Sequence, residues 1–76
     1  MIINTEREPN ISLYYLGSVM LNILEQEKII LLEELFSKAR NRLKINIHVD
    51  FMYYALDWLF LLSLIRINGG KVYYEN

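Results

Sequence analysis

Side chains able to do acid–base or metal chemistry are few and fall close together in this sequence. His48 is its single histidine, Asp50 and Asp57 follow it, and there is no cysteine. A metal site would need His48 together with carboxylates, and a catalytic base needs a nucleophile and an orienting group within reach. The sequence indicates neither a metal site nor a catalytic base. We therefore interpret His48 as a helix-entry residue and predict no catalytic residue, no metal site and no cofactor.

Asp50 and Asp57 are interpreted differently if both lie on one helix. Seven residues correspond to about two helical turns, or roughly 10 Å, so Asp50 and Asp57 would share one side. We interpret Asp50 as a helix cap and Asp57 as an anchor for an Arg or Lys of a partner. The pair Gly69-Gly70 lies in a turn context, without the strand, helix and Lys that phosphate binding requires.

Composition indicates a single small domain that binds other proteins. The chain has 76 residues, of which 54% are hydrophobic. A domain of this size buries only about 60–65% of its surface, so apolar side chains should remain exposed, and large exposed patches usually mark binding sites. We predict one interaction domain over residues 1–76, with a short N-terminal arm over residues 1–10.

Charge and hydropathy exclude several classes of partner. The net charge is −1, which gives no long-range attraction to nucleic acid or to anionic lipid. The longest apolar stretch, residues 51–65, is shorter than the ~20 residues of a membrane span. Together with the lack of cysteine, these features predict a cytoplasmic protein with no membrane segment.

Three helices are predicted from the spacing of apolar residues. The first begins near residues 10–12 and ends near Gln26, and the second covers Leu32–Leu43. Residues 28–31 are too few for a helix and predict a short strand or an extended entry to the second helix. The third helix begins near residues 48–50 and ends near Leu62.

The third helix is apolar on nearly all sides. Its predicted core face is formed by residues one helical turn apart: Met52, Ala55, Leu59 and Leu62. The opposite face is centred on Asp57, where a solvated helix would carry Lys, Glu or Gln around it. Helices of this composition are buried on more than one side. A second chain is therefore expected to cover the outer side.

The C-terminal region predicts a β-hairpin. Residues 64–67 and Lys71–Tyr74 form its strands, and Asn68-Gly69-Gly70 supplies the positive backbone angles of a tight turn. A two-stranded ribbon is weak alone, so it should pack on the helices or pair with Ile29 and Ile30. The fold class is α+β, mostly helical, and the order of elements is winged-helix-like: three helices with a C-terminal β-hairpin wing.

Winged helices commonly bind DNA, which makes nucleic acid a rival partner. The third helix carries no Lys, Arg, Asn or Gln to read base edges, and its two acids would repel phosphate. Basic residues cluster instead at the end of the second helix and form a possible weak nucleic-acid patch: Lys38, Arg40, Arg42 and Lys44. Any DNA contact should be secondary. A DNA-binding transcriptional regulator remains an alternative.

Tyrosine-rich surfaces are common in protein interfaces, and they suggest where a partner would bind. Our candidate partner-binding residues form two groups. Tyr14 and Tyr15 lie on the first helix, and the others are Asp57 and the residues around it on the third helix: Tyr53, Tyr54, Phe60 and Leu61. The residues favour a non-catalytic adaptor. A small self-associating, antitoxin-like subunit, with a homodimer formed through the third helix, is a further alternative.

Two segments carry a family resemblance. Residues 9–17 (PNISLYYLG) and 50–65 (DFMYYALDWLFLLSLI) resemble the small middle components of bacterial ABC-three-component systems, and in particular middle component six. The resemblance extends from Pro9 to about Val72, and Ser63 stands where that pattern leads us to expect a glycine. It implies a subunit that links an SMC-like ABC ATPase to an effector in Lamassu-type defence against phages and plasmids. No catalytic residue carries over.

Overall fold

Three helices and a three-stranded antiparallel sheet form the part of the chain described by the computed structural model, residues 12–75. In chain order the elements are α1 (Leu13–Glu27), β1 (Ile29–Leu31), α2 (Leu32–Leu43), α3 (Val49–Leu61), β2 (Ile65–Asn68) and β3 (Lys71–Tyr74). The α+β, mostly helical class is therefore confirmed. The predicted arm, residues 1–10, lies outside the described residues.

Helix α1 begins at a polar cap. The Oγ of Ser12 accepts the N–H of Tyr15 at 3.0 Å, which satisfies one of the free amides of the first turn. The helix ends at Glu27, one residue beyond the predicted end. Its buried face contains Leu16, Gly17, Val19, Met20, Ile23 and Leu24, whereas Leu13 in the first turn is only half buried.

Helix α2 has the predicted bounds and is tied to the hairpin at its start. The N–H of Leu32 donates to the carbonyl oxygen of Gly70 at 2.9 Å. Leu35, Phe36 and Ala39 are buried. The helix ends at Leu43, and its C-cap, Lys44, takes a left-handed conformation with φ 61° and donates its N–H to the carbonyl of Arg40.

The sheet has the strand order β1-β3-β2, with antiparallel pairs. Of the two arrangements left open for the hairpin, pairing with the Ile29-Ile30 segment is observed, because Ile30 lies opposite Val72. Gly69 and Gly70 form a two-residue turn with φ values of +60° and +76°, as a type I′ turn requires. Strand β2 begins at Ile65 rather than at Leu64.

Helix α3 begins at Val49, within the predicted range of residues 48–50, and ends at Leu61, one residue before the predicted end. His48 caps it, because its Nδ1 accepts the N–H of Asp50 at 3.1 Å; the predicted cap at Asp50 is therefore wrong. Leu56 is buried and Leu62 is exposed, which reverses our prediction for Leu62. The reason is a helix stop at Ser63, where φ is +63° and the chain turns away before Leu62 can reach the core.

The core lies between α1 and the other elements. Buried side chains from all three helices, the sheet and the α2–α3 loop form one cluster that includes Leu16, Met20, Leu35, Met52 and Val72. Because α1 contacts α2, α3 and the sheet, both outer helices are left with one face toward solvent.

Candidate interaction surface

Helix α3 exposes a large apolar face away from the core. We call it the α3 outer face, and define it as Asp50, Tyr53, Tyr54, Asp57, Phe60 and Leu61. Tyr54 is 62% exposed and Leu61 is 79% exposed. Residues Met52, Ala55, Leu56 and Leu59 bury the opposite side of the same helix. The helix therefore has one face for its own core and one that residues 12–75 leave largely exposed.

Side chains of the α3 outer face form three parallel rows. Residues seven positions apart are separated by nearly two full turns, so each row runs almost along the helix axis. The central row, Asp50 and Asp57, is acidic. Apolar rows lie on both sides of it, one formed by Tyr53 and Phe60 and the other by Tyr54 and Leu61. The arrangement is a shallow apolar surface divided by a line of negative charge.

The two aspartates differ in their local contacts. Asp57 has no hydrogen bond or ion pair with any residue in the range 12–75. The carboxylate of Asp50 lies 3.8 Å from the Nδ1 of His48. The same Nδ1 accepts the N–H of Asp50.

Aromatic contacts join the α3 outer face to the neighbouring helices. Tyr53 packs edge-on against Phe36 of α2, with ring centroids 5.2 Å apart. On the other flank Trp58 packs edge-on against Tyr14 of α1 at 4.9 Å. Trp58 is half-buried and lies over Gly17, where an added Cβ would come within 2.8 Å of the indole ring. These contacts extend the aromatic surface from α3 to Tyr14.

Tyr15 is separated from the other predicted partner-binding residues. It follows Tyr14 by about 100° around α1 and lies two turns before Asn22, which binds Arg42 of α2. The structure thus brings Tyr14, Tyr53, Tyr54, Asp57, Phe60 and Leu61 together and leaves Tyr15 on the α2 side. Trp58, which our sequence analysis did not include among them, is the residue that connects Tyr14 to the group.

The four basic residues at the end of α2 do not share one surface. Lys38 lies 3.8 Å from Glu27, and Arg42 donates to the Oδ1 of Asn22 at 2.6 Å, so both reach toward α1. Arg40 is half-buried and donates its Nε–H to the carbonyl of Ile47 at 3.3 Å. Lys44 follows the helix as its C-terminal cap. The side chains divide between two sides of α2 and are partly used in internal contacts.

The sheet carries a second exposed area, which our sequence analysis did not identify. Ile29 and Leu31 are exposed, whereas Ile30 between them is buried. Across β3, Arg66 lies 4.7 Å from the centre of the Tyr73 ring and binds the carboxylate of Glu75 at 2.9 Å. This hydrogen bond and the charge of Glu75 raise the pKa of Arg66 above its usual value. Three consecutive apolar residues in a strand, whose side chains alternate between two faces, are the sequence signal that could have revealed this face.

A polar cleft separates α1 from α2. Its volume is about 350 Å³, and its lining residues come from the two facing helices: Ile23, Gln26, Glu27, Lys38, Asn41 and Arg42. Within residues 12–75, no three His, Asp or Glu side chains lie close enough together to hold a metal ion. None of the helices described is sufficiently long and apolar to cross a bilayer.

Comparison with protein families places these features in a known group. No curated protein matches the chain. A family model described as "ABC-three component (ABC-3C) system Middle Component 6" matches residues 3–75. That match confirms the resemblance found in the sequence, and the family's description implies a role among several protein components. Because it covers nearly the whole sequence, the chain belongs to the Middle Component 6 family of ABC-three component systems.

Proposed function

We propose that this protein is a non-catalytic adaptor of the bacterial cytoplasm. In this proposal it links an SMC-like ABC ATPase to an effector in Lamassu-type defence against phages and plasmids. Membership of the middle-component family supports a role between other proteins. The observation that carries the proposal is the α3 outer face, which is apolar, exposed and adjacent to the aromatic contact between Tyr14 and Trp58.

Burial of this face would provide substantial binding energy. A leucine or an aromatic side chain contributes about 1.5–3 kcal/mol when it moves from full exposure to full burial. Leu61, Tyr54 and Phe60 are all at least half exposed. Binding energy in interfaces is concentrated in a few such anchors near the centre of the contact. Tyr54 and Leu61, which form one row of the α3 outer face, are the residues we expect to contribute most to binding.

The arrangement of elements supports a winged-helix fold as the scaffold of the adaptor. The hairpin follows α3 and its second strand pairs with β1, so the sheet closes against α1. In DNA-binding members of this fold the third helix enters the major groove. Here the equivalent helix carries aspartates and apolar residues, which suit a protein surface instead.

Co-purification with candidate partner subunits tests the proposal. The tagged chain is co-expressed with the candidate ATPase and effector subunits of the same ABC-three component system. We expect wild type to retain at least one of them, and Leu61→Glu or Tyr54→Lys to reduce the retained amount at least about tenfold, since each places a charge in an apolar contact. Ser37→Glu, a change at an exposed position on α2, is the control and should retain the partner.

Two results would contradict the proposal. Wild type that retains neither subunit would argue against an adaptor. Equal loss of the partner from Ser37→Glu and Leu61→Glu would show that the α3 outer face is not the contact. Circular dichroism of each variant must match wild type, so that loss of binding is not loss of folding.

A further inference from the structure

The α3 outer face combines apolar rows with a central acidic row, and this combination defines its partner more closely. We infer that it receives an amphipathic helix of another subunit, and that this helix carries two Arg or Lys residues seven positions apart within an apolar stripe. The inference rests on the proposed adaptor function and specifies the chemistry of its contact.

The shape of the surface selects a helix. Rows of residues seven positions apart run nearly parallel to the axis of α3, so the grooves between them accept an elongated partner at a shallow crossing angle. The helix has 13 residues and is therefore roughly 20 Å long. That length matches about two heptads of a facing helix. An extended strand would have no matching row of backbone donors and acceptors, because those of α3 are used within the helix.

Charge selects a basic partner. Any chain that covers Leu61 and Phe60 also removes water from Asp57, which lies between their rows. Burial of an unpaired carboxylate is strongly unfavourable, and Asp57 finds no cation among residues 12–75. The covering chain must therefore supply the cation. Asp50 lies about 10 Å from Asp57 along the same row. This distance sets the spacing between the two cations of the partner helix.

The same charges disfavour a second copy of this chain as the occupant. Residues 49–61 contain no Lys or Arg. A parallel pair of α3 helices would place each aspartate near its equivalent, and an antiparallel pair would place Asp50 near Asp57. Both arrangements bring like charges together in an apolar contact, which is destabilising.

Charge variants of the two aspartates test the inference. The partner subunit retained in co-purification is titrated with wild type, with the Asp50→Asn/Asp57→Asn variant and with the Asp50→Lys/Asp57→Lys variant. We expect Kd to rise about tenfold for the Asn variant and at least about a hundredfold for the Lys variant. Raising the salt concentration should weaken wild type more than the Asn variant. Asp57→Lys alone is tested as well, because Lys at position 50 also opposes the helix dipole and can destabilise α3.

The results separate this inference from the proposed function. If Leu61→Glu abolishes binding and the Lys variants bind like wild type, the adaptor stands and the basic helix is wrong. If wild type binds no partner subunit, both fail. A dimer of the chain in sedimentation that Leu61→Glu dissociates would also overturn the inference, because the occupant would then be a second copy.

Discussion

At the scale of single residues, the contact between Gly17 and Trp58 sets the distance between α1 and α3. Cβ of any other residue at position 17 would lie 2.8 Å from Cζ3 and 2.9 Å from Cε3 of the indole, closer than packed carbon atoms approach. Tyr14, one turn earlier, packs against the outer side of the same ring. One glycine thus allows the ring to join the two helices at the edge of the α3 outer face.

Substitution of Gly17 tests this role of the indole. We expect Gly17→Ala to lower the free energy of unfolding by up to about 2 kcal/mol, because overpacking costs about 1–3 kcal/mol and the gain in helix propensity, about 1 kcal/mol, offsets part of it. Urea denaturation provides the measurement. In a Trp58→Leu background the same change should be neutral or stabilising. A loss of equal size in both backgrounds would show that the ring is not the obstacle.

At the scale of elements, the end of α3 is a Schellman motif built around a serine. The N–H of Leu64 donates to the carbonyl of Leu59 and the N–H of Ser63 donates to that of Phe60, which are the two bonds of this motif. Ser63 occupies the left-handed position with φ +63°, where glycine is usual. The glycine expected at this position from the family resemblance has a clear physical reason.

The same Ser→Gly change at two positions should therefore have opposite effects. A side chain in the left-handed region costs about 1–2 kcal/mol, and the extra flexibility of glycine in the unfolded chain costs about 0.5–1 kcal/mol. Ser63→Gly should raise the free energy of unfolding by about 0.5–1 kcal/mol. Ser37→Gly, within α2, should lower it by about 0.5 kcal/mol. Chemical denaturation of both variants gives the comparison, and a loss of stability in Ser63→Gly would contradict the argument.

At the scale of the whole molecule, the distribution of charge opposes DNA binding. The net charge is −1, α3 carries two aspartates, and the basic side chains of α2 reach in different directions. Arg66, on the sheet, is paired with Glu75. No continuous basic surface tracks a phosphate backbone in the part of the molecule described.

A titration against duplex DNA checks this conclusion. At about 150 mM salt we expect a Kd weaker than about 100 µM, the weak limit of ordinary non-specific binding. At about 20 mM salt, binding that depends on phosphate contacts would strengthen steeply, and Lys38→Ala/Arg42→Ala would reduce it. Tight binding that persists at the higher salt and depends on sequence would favour the DNA-binding alternative.

Local signals in the sequence determined much of the fold. The bounds of α2 follow from its apolar stripe with acids in the first turn and bases in the last, and β3 follows from the Gly69-Gly70 turn. The composition of α3 also predicted its exposed apolar face around Asp57. Each of these features depends on residues within a few positions of one another, so a pattern in the sequence is sufficient to indicate it.

Only the tertiary structure decided the features that join distant segments. The sequence left open whether Ile30 pairs with the hairpin, and its partner Val72 lies 42 positions away. The exposure of Leu62 depends on the backbone reversal at Ser63. A helical wheel drawn through Leu62 assumes that the helix continues and does not include this reversal. The separation of Tyr14 from Tyr15 depends on where α1 crosses α3, at the Gly17–Trp58 contact. Periodicity assigns a face to each residue, but the crossing of helices decides which faces meet.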